Sequence, residues 1–138
     1  MIVLIDTCVI VDALQNRKPF ADYAKKIFLS VAEERFTGFI TAKSVTDIYY
    51  ITHKLTHSDE ETRKILNKLF SLFNIADTFA SDCLDAIHSD ISDYEDAVMT
   101  ETAKRIKADF IVTENIKDFV KSDVPCVTAK KFIKNIIA

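Results

Sequence analysis

Four aspartates of this chain stand just past short apolar runs or at the start of a helical stretch. Asp6 follows Ile2-Val3-Leu4-Ile5, and Asp47 comes soon after Gly38-Phe39-Ile40-Thr41. Asp96 opens a helical stretch, and Asp118 follows Phe110-Ile111-Val112-Thr113. In an open parallel α/β sheet, ligands bind outside the carboxyl ends of the strands. Carboxylates delivered there from distant parts of the chain repel one another, and a hard divalent cation with oxygen ligands relieves that repulsion. The chemistry that this pattern points to is metal-assisted hydrolysis.

Each acid also has a simpler structural reading. Asp6 fits the cap of a following helix, and Asp96 fits the first turn of one, where acids are favoured. Ser92 followed by Glu95 reads as a capping box, which gives Glu95 a structural duty and leaves Asp96 as the ligand. Asp47 alone reads as a solvent-facing helix acid, and Asp118 as a cap or a supporting contact. Asn115 is placed to hydrogen-bond a ligand or a water. Their shared placement after strands and at helix starts favours a common site.

Other chemistries find little support. His53 and His57 are four apart but lack the glutamate of a zinc-protease helix. A single glycine excludes phosphate-loop and dinucleotide fingerprints, and there is no serine nucleophile elbow. Cys8, Cys83 and Cys126 are odd in number with no CxxC pair, which argues against a disulfide framework or zinc site. Cys8 is expected in a helix's first turn, where a thiol pKa can be lowered, although small buried packing is the preferred reading.

The elements that must position these residues alternate in type. Ile2 to Ile5 reads as a buried central strand, followed by a helix from Thr7 to Leu14 capped by Asp6 or Thr7. Asn16 to Pro19 is a turn, and Phe20 to Glu34 an amphipathic helix. A second strand at Gly38–Thr41 leads into a helix to about Leu55, on which Val45, Ile48, Tyr49 and Thr52 share a face and Asp47 points elsewhere. Ser58 and Glu61 open a helix to about Phe70. Leu72 to Ile75 is a short strand and Phe79 to His88 a helix. A further helix runs from near Asp93 to Ile106, a strand from Ala108 to Thr113, and a short helix from Asn115 to Val120. Val124 to Val127 reads as an edge strand, and Thr128 caps a last helix through Ile136. Such alternation specifies a parallel sheet wrapped by helices, in one domain over residues 1–138.

The bulk numbers agree. The chain has 138 residues, 49% hydrophobic and 28% charged, enough for one sizeable core. No apolar run approaches the roughly 20 residues that span a bilayer, and the N-terminus does not resemble a signal peptide, so a cytoplasmic location is expected. A net charge of −3 argues against duplex nucleic acid held by bulk electrostatics, but not against nucleic acid as such. The clusters Lys104, Arg105, Lys107 and Lys130, Lys131, Lys134 read as solvated helix faces.

Asp6-Thr7 after the first strand, Tyr94-Glu95-Asp96-Ala97-Val98 with Ala103, and Thr113-Glu114-Asn115-Ile116-Lys117-Asp118-Phe119 occur in this order over nearly the whole chain. Together they resemble the PIN-domain ribonucleases, particularly the small VapC toxins of toxin–antitoxin pairs. That resemblance implies a three-layer α/β/α sandwich with a central parallel sheet, with Asp6, Asp47, Asp96 and Asp118 at one edge. It implies a ribonuclease that uses Mg²⁺ or Mn²⁺, with Asp6 and Asp96 as principal ligands and Asp47 and Asp118 positioning metal or water. Thr7, Thr113 and Asn115 would support the acids. RNA would be the substrate, cut to leave a 5′-phosphate, and the implied partners are a small antitoxin and a second copy of the chain.

Three positions depart from the family pattern. Asp47 stands where Glu is usual and is one methylene shorter. Cys8 stands where Asn is frequent, and Glu114 where Arg is frequent. These motivate an alternative function, a PIN-like binding or regulatory module with weak or no catalysis. A phosphoacceptor receiver domain is a third reading, disfavoured because its acidic pair and its lysine are not in the right places.

Overall fold

A computed structural model of the protein describes all 138 residues. Five strands, β1 (Ile2–Ile5), β2 (Thr37–Thr41), β3 (Asn74–Ala76), β4 (Phe110–Val112) and β5 (Cys126–Val127), form one sheet in the order β3-β2-β1-β4-β5. All four pairings are parallel. The helices are α1 (Thr7–Leu14), α2 (Ala21–Ala32), α3 (Ala42–Thr56), α4 (Asp59–Leu72), α5 (Ala80–Ala86), α6 (Tyr94–Arg105) and α7 (Ala129–Lys131). A 3₁₀ turn covers Ile116–Phe119, and α7 continues as a wider π turn over Phe132–Ile136.

Alternation along β1 explains the three layers. Val3, Leu4 and Ile5 are fully buried. Val3 and Ile5 enter the larger core with Ile10, Ile27, Ile48 and Phe132, while Leu4 enters a second core with Met99, Ala103, Ile111 and Phe119. Successive side chains of a strand point to opposite faces, so an aliphatic run covered on both sides belongs at the sheet's centre. Each such side chain is worth about 1.5–3 kcal/mol on burial. Gly38 in β2 leaves room for Phe73, whose Cδ1 would lie 2.8 Å from a Cβ there.

The strand order reverses its direction of growth at β1. The chain adds β2 and β3 on one side, then crosses to β4 and β5 on the other. The carboxyl end of β1, with Asp6, is therefore the topological switch point where ligands of such sheets bind. No helix is long and apolar enough to cross a membrane.

Several sequence expectations shift. The Ser92–Glu95 box does not form: Asp93 is the N-cap of α6 and accepts the Asp96 N–H at 3.0 Å. Arg105 is not on a solvated face. Its guanidinium meets the buried Asp82 at 2.9 and 3.1 Å, and Thr102 donates to the same carboxylate at 2.8 Å. Despite the cost of burial, the Arg105 hydrogen bonds and those from Phe79 N–H and Thr102 hold the Asp82 carboxyl below its ordinary range. This clamp ties α6 to α5. The third strand begins two residues later than expected, because Leu72 and the apolar face before it complete α4.

Candidate functional site

Asp6 follows β1, and its N–H extends the sheet by donating to the Val112 carbonyl at 2.9 Å. It occupies the N-cap position of α1, yet its side chain makes no capping hydrogen bond. The carboxylate is 6% exposed and accepts from Thr113 Oγ1 at 2.7 Å and from Cys8 Sγ at 3.4 Å, both on Oδ2. Burial pushes its pKa up, and the hydrogen bonds from Thr113 and Cys8 oppose part of that rise. Thr113 is fully buried and also accepts the Asn115 N–H at 3.0 Å. One hydroxyl thus orients the Asp6 carboxylate and fixes the turn after β4.

Asp96 reaches the same place from α6. Its carboxyl is pushed up to about 7, first by burial and then by the negative charges of Asp93, Asp6, Asp118 and Glu95. A carboxyl in that condition is crowded by charges of its own sign.

A cleft of about 540 Å³ opens over these residues, lined by Asp6, Thr7, Asp47, Glu95, Asp96 and Asn115 among others. The structure thus brings together Asp6, Asp47, Asp96, Thr7 and Asn115, with Thr113 beneath them. Asp118 is outside the lining. It is exposed in the 3₁₀ turn, beside a separate small hollow shared with Asp90, Ser92 and Lys121, and only its charge acts on Asp96.

Asp47 has a partner that the sequence reading did not assign. Lys43, one turn earlier on α3, pairs with it at 3.0 Å and also bridges the cleft to Glu95 at 2.9 Å. Glu95 is therefore an ion-pair partner rather than a helix cap. The spacing from Lys43 to Asp47 is the usual helical pair, so half of this contact was readable in the chain, while the bridge to Glu95 depends on how α3 and α6 pack. For Cys8 the preferred packing reading holds and the lowered thiol pKa does not: burial, and then the Asp6 charge, push its thiol up to about 12. It serves Asp6 as a weak donor and is no reactive thiolate.

No three acidic, histidine or cysteine side chains are gathered closely enough to enclose an ion by themselves. The donor set nonetheless suits a hard divalent cation such as Mg²⁺ or Mn²⁺. Mg²⁺ keeps several waters and is held by one or two carboxylates, and Asp6 and Asp96 supply two oxygen donors in a region of excess negative charge.

A sequence search of curated proteins finds no match. Solved structures share the fold at low identity. VapBC2 from Rickettsia felis, bound to a promoter DNA fragment, aligns with a TM-score of 0.67 and 19% identity over 93% of this chain and 98% of that one. FitAB bound to the IR36 DNA fragment gives 0.71 and 15% identity over 92% and 94%. DNA-bound VapBC from Salmonella typhimurium gives 0.67 and 15% identity over 94% and 98%. A family model for the PIN domain matches residues 2–117, most of the chain, and with the sheet order and the acids at its carboxyl edge this makes the protein a member of the PIN domain family.

Proposed function

We propose that the protein is a divalent-metal-dependent endoribonuclease that hydrolyses RNA phosphodiester bonds, and that it is the toxin of a toxin–antitoxin pair. The observation that carries this reading is the convergence of Asp6 and Asp96 in one cleft at the sheet's switch point, where burial and then repulsion from acids that include Asp6 push the Asp96 carboxyl up to about 7. Asp6 is buried and held by Thr113 and Cys8, while Asp96 is half-buried and its carboxylate accepts no hydrogen bond, which leaves it open to a ligand.

In this scheme Asp6 and Asp96 hold Mg²⁺ or Mn²⁺. When bound, the cation supplies a coordinated water of lowered pKa and neutralises charge developing on the phosphoryl oxygens. Thr113 and Cys8 keep Asp6 in a single orientation from below. Asn115 and Thr7 line the cleft and are placed to hydrogen-bond water or substrate. Asp47, drawn to Lys43, acts on the water layer around the metal rather than as a direct ligand. Asp118 adds long-range negative charge from outside the cleft.

The partner reading rests on likeness of fold to the VapBC and FitAB complexes together with the charge of the cleft. An acidic cleft attracts an arginine-bearing segment of a small antitoxin. Assembly as a homodimer belongs to the same proposal, as does residence in the cytoplasm.

The test is cleavage of a labelled RNA with Mn²⁺, with product ends identified. Wild type should produce 5′-phosphate ends and stop in EDTA, while Asp6→Asn and Asp96→Asn should lose cleavage by two orders of magnitude or more. Equal cleavage by the variants sinks the enzyme reading. The ion pairs of Lys43 with Asp47 and Glu95 favour one second reading, a PIN-like binding module with little catalysis. RNA binding without metal-dependent cleavage by wild type would select it.

A further inference from the structure

One wall of the cleft differs in character from its floor. On α3, Lys43, Asp47, Tyr50, Ile51 and Lys54 all line the cleft, and their spacing puts them on a single helix face. From Lys43 to Lys54 this face runs about 16 Å along the helix axis, long enough to meet more than one phosphate. Tyr50 is 70% exposed and its ring has no packing partner among the aromatic contacts. A large, wet aromatic beside a polar cleft has no evident role in folding.

Arg17 completes the wall from another element. It follows α1 and is exposed, and its Nε donates to Gln15 Oε1 at 3.1 Å. Gln15 in turn donates from Nε2 to the Ile51 carbonyl of α3 at 3.3 Å. This relay holds Arg17 against the α3 wall and leaves its terminal nitrogens available. Neither Arg17 nor Lys54 takes part in an ion pair, whereas Lys43 is already shared by Asp47 and Glu95. The wall thus offers, in the same cleft as the acids, an aromatic face with two cations that make no ion pair, although the Arg17 charge also acts on Asp12.

We infer that the α3 wall is a track for single-stranded RNA, with a base stacked on Tyr50 and phosphates received by Arg17 and Lys54. The inference rests on the nuclease reading and deepens it by naming how substrate reaches the acids. Aromatic platforms with flanking cations bind unpaired strands, whose bases are free to stack. A duplex has no free base face for Tyr50, and the chain's net charge of −3 gives it little sequence-independent hold on a duplex. A protein partner of opposite charge would need acids to meet Arg17 and Lys54, the reverse of what the cleft floor attracts.

The experiment measures binding in EDTA, where no cleavage occurs, by fluorescence anisotropy of a labelled single-stranded RNA of about a dozen nucleotides. Tyr50→Ala should weaken binding about 5- to 100-fold, and Tyr50→Phe should retain it, since stacking needs the ring alone. Lys54→Ala and Arg17→Ala should each lower the salt dependence of log K by about 0.7. All three positions are exposed, and an unchanged urea midpoint checks that folding is intact. In a protein that cleaves, Tyr50→Ala should raise KM and leave kcat nearly unchanged. The binding result supports the track even if no cleavage is found. Wild-type RNA affinity in Tyr50→Ala and Lys54→Ala overturns it, even in a protein that cleaves. Duplex RNA bound as tightly as single strand overturns it as well, as does loss of binding to an arginine-rich peptide with RNA binding unchanged.

Discussion

Replacing Asp96 by Asn should make the metal-free protein more stable at pH 8 and remove its response to metal. The Asp96 carboxyl moves from an ordinary 3.8 to about 7 in the fold. Native protein therefore binds this proton more tightly than unfolded protein between about pH 4 and 7. Stability falls as pH rises through that window and levels off above it. At about 1.4 kcal/mol per tenfold in proton affinity the ceiling is about 4 kcal/mol. Asp96 is only partly buried, so water and salt screen the repulsion, and about 1–2 kcal/mol is the working expectation. Asparagine keeps the shape and the backbone N–H to Asp93, and no hydrogen bond to the Asp96 carboxylate is lost. Urea denaturation from pH 5 to 8 is the assay. The variant's advantage should be small at pH 5 and full by pH 8. Mn²⁺ at 100 times its dissociation constant should then stabilise wild type by about 2.7 kcal/mol and leave the variant unmoved. Parallel pH profiles, or a variant less stable at pH 8 with the same metal response, would refute the electrostatic reasoning.

Three further outcomes can be checked in the same way. Thr113→Val strips Asp6 of its 2.7 Å donor and leaves the Asn115 N–H without its acceptor, so it should cost about 1–3 kcal/mol in urea denaturation and weaken Mn²⁺ stabilisation. Lys43→Ala removes a competing cation from between Asp47 and Glu95, and the Mn²⁺ concentration for half-maximal stabilisation should drop about 2- to 5-fold. Gly38→Ala drives a methyl to within 2.8 Å of Phe73 and 3.0 Å of Val31, and should cost about 1–3 kcal/mol in thermal or urea melts.

Local chemistry made much of the fold legible. Ile2 to Ile5 could only be a strand covered on both faces, because four consecutive aliphatics have no polar side to turn to water. Thr41, Ser58 and Thr128 cap helices as their types predict, since a short side-chain oxygen reaches the free N–H groups of the first turn. The N-cap of α6 was misplaced by one residue. Ser92 and Asp93 are both good caps, and periodicity does not choose between adjacent candidates.

The acids themselves, their order and their positions after β1, β2 and β4 were plain in the chain. Their electrostatic state was not. Burial of Asp6, the rise of Asp96 toward 7 and the bridge from Lys43 to Glu95 all depend on how α3 and α6 close over the switch point between β2, β1 and β4. Residues 40 or more positions apart become neighbours only through that packing. Charge interactions fall off with distance and rise with burial, two quantities that spacing along a chain does not carry. That is why Asp47, a solvent-facing helix acid by sequence, is half of an ion pair in the structure, and why Arg17, Tyr50 and Lys54 line one cleft only through the packing of α1 against α3.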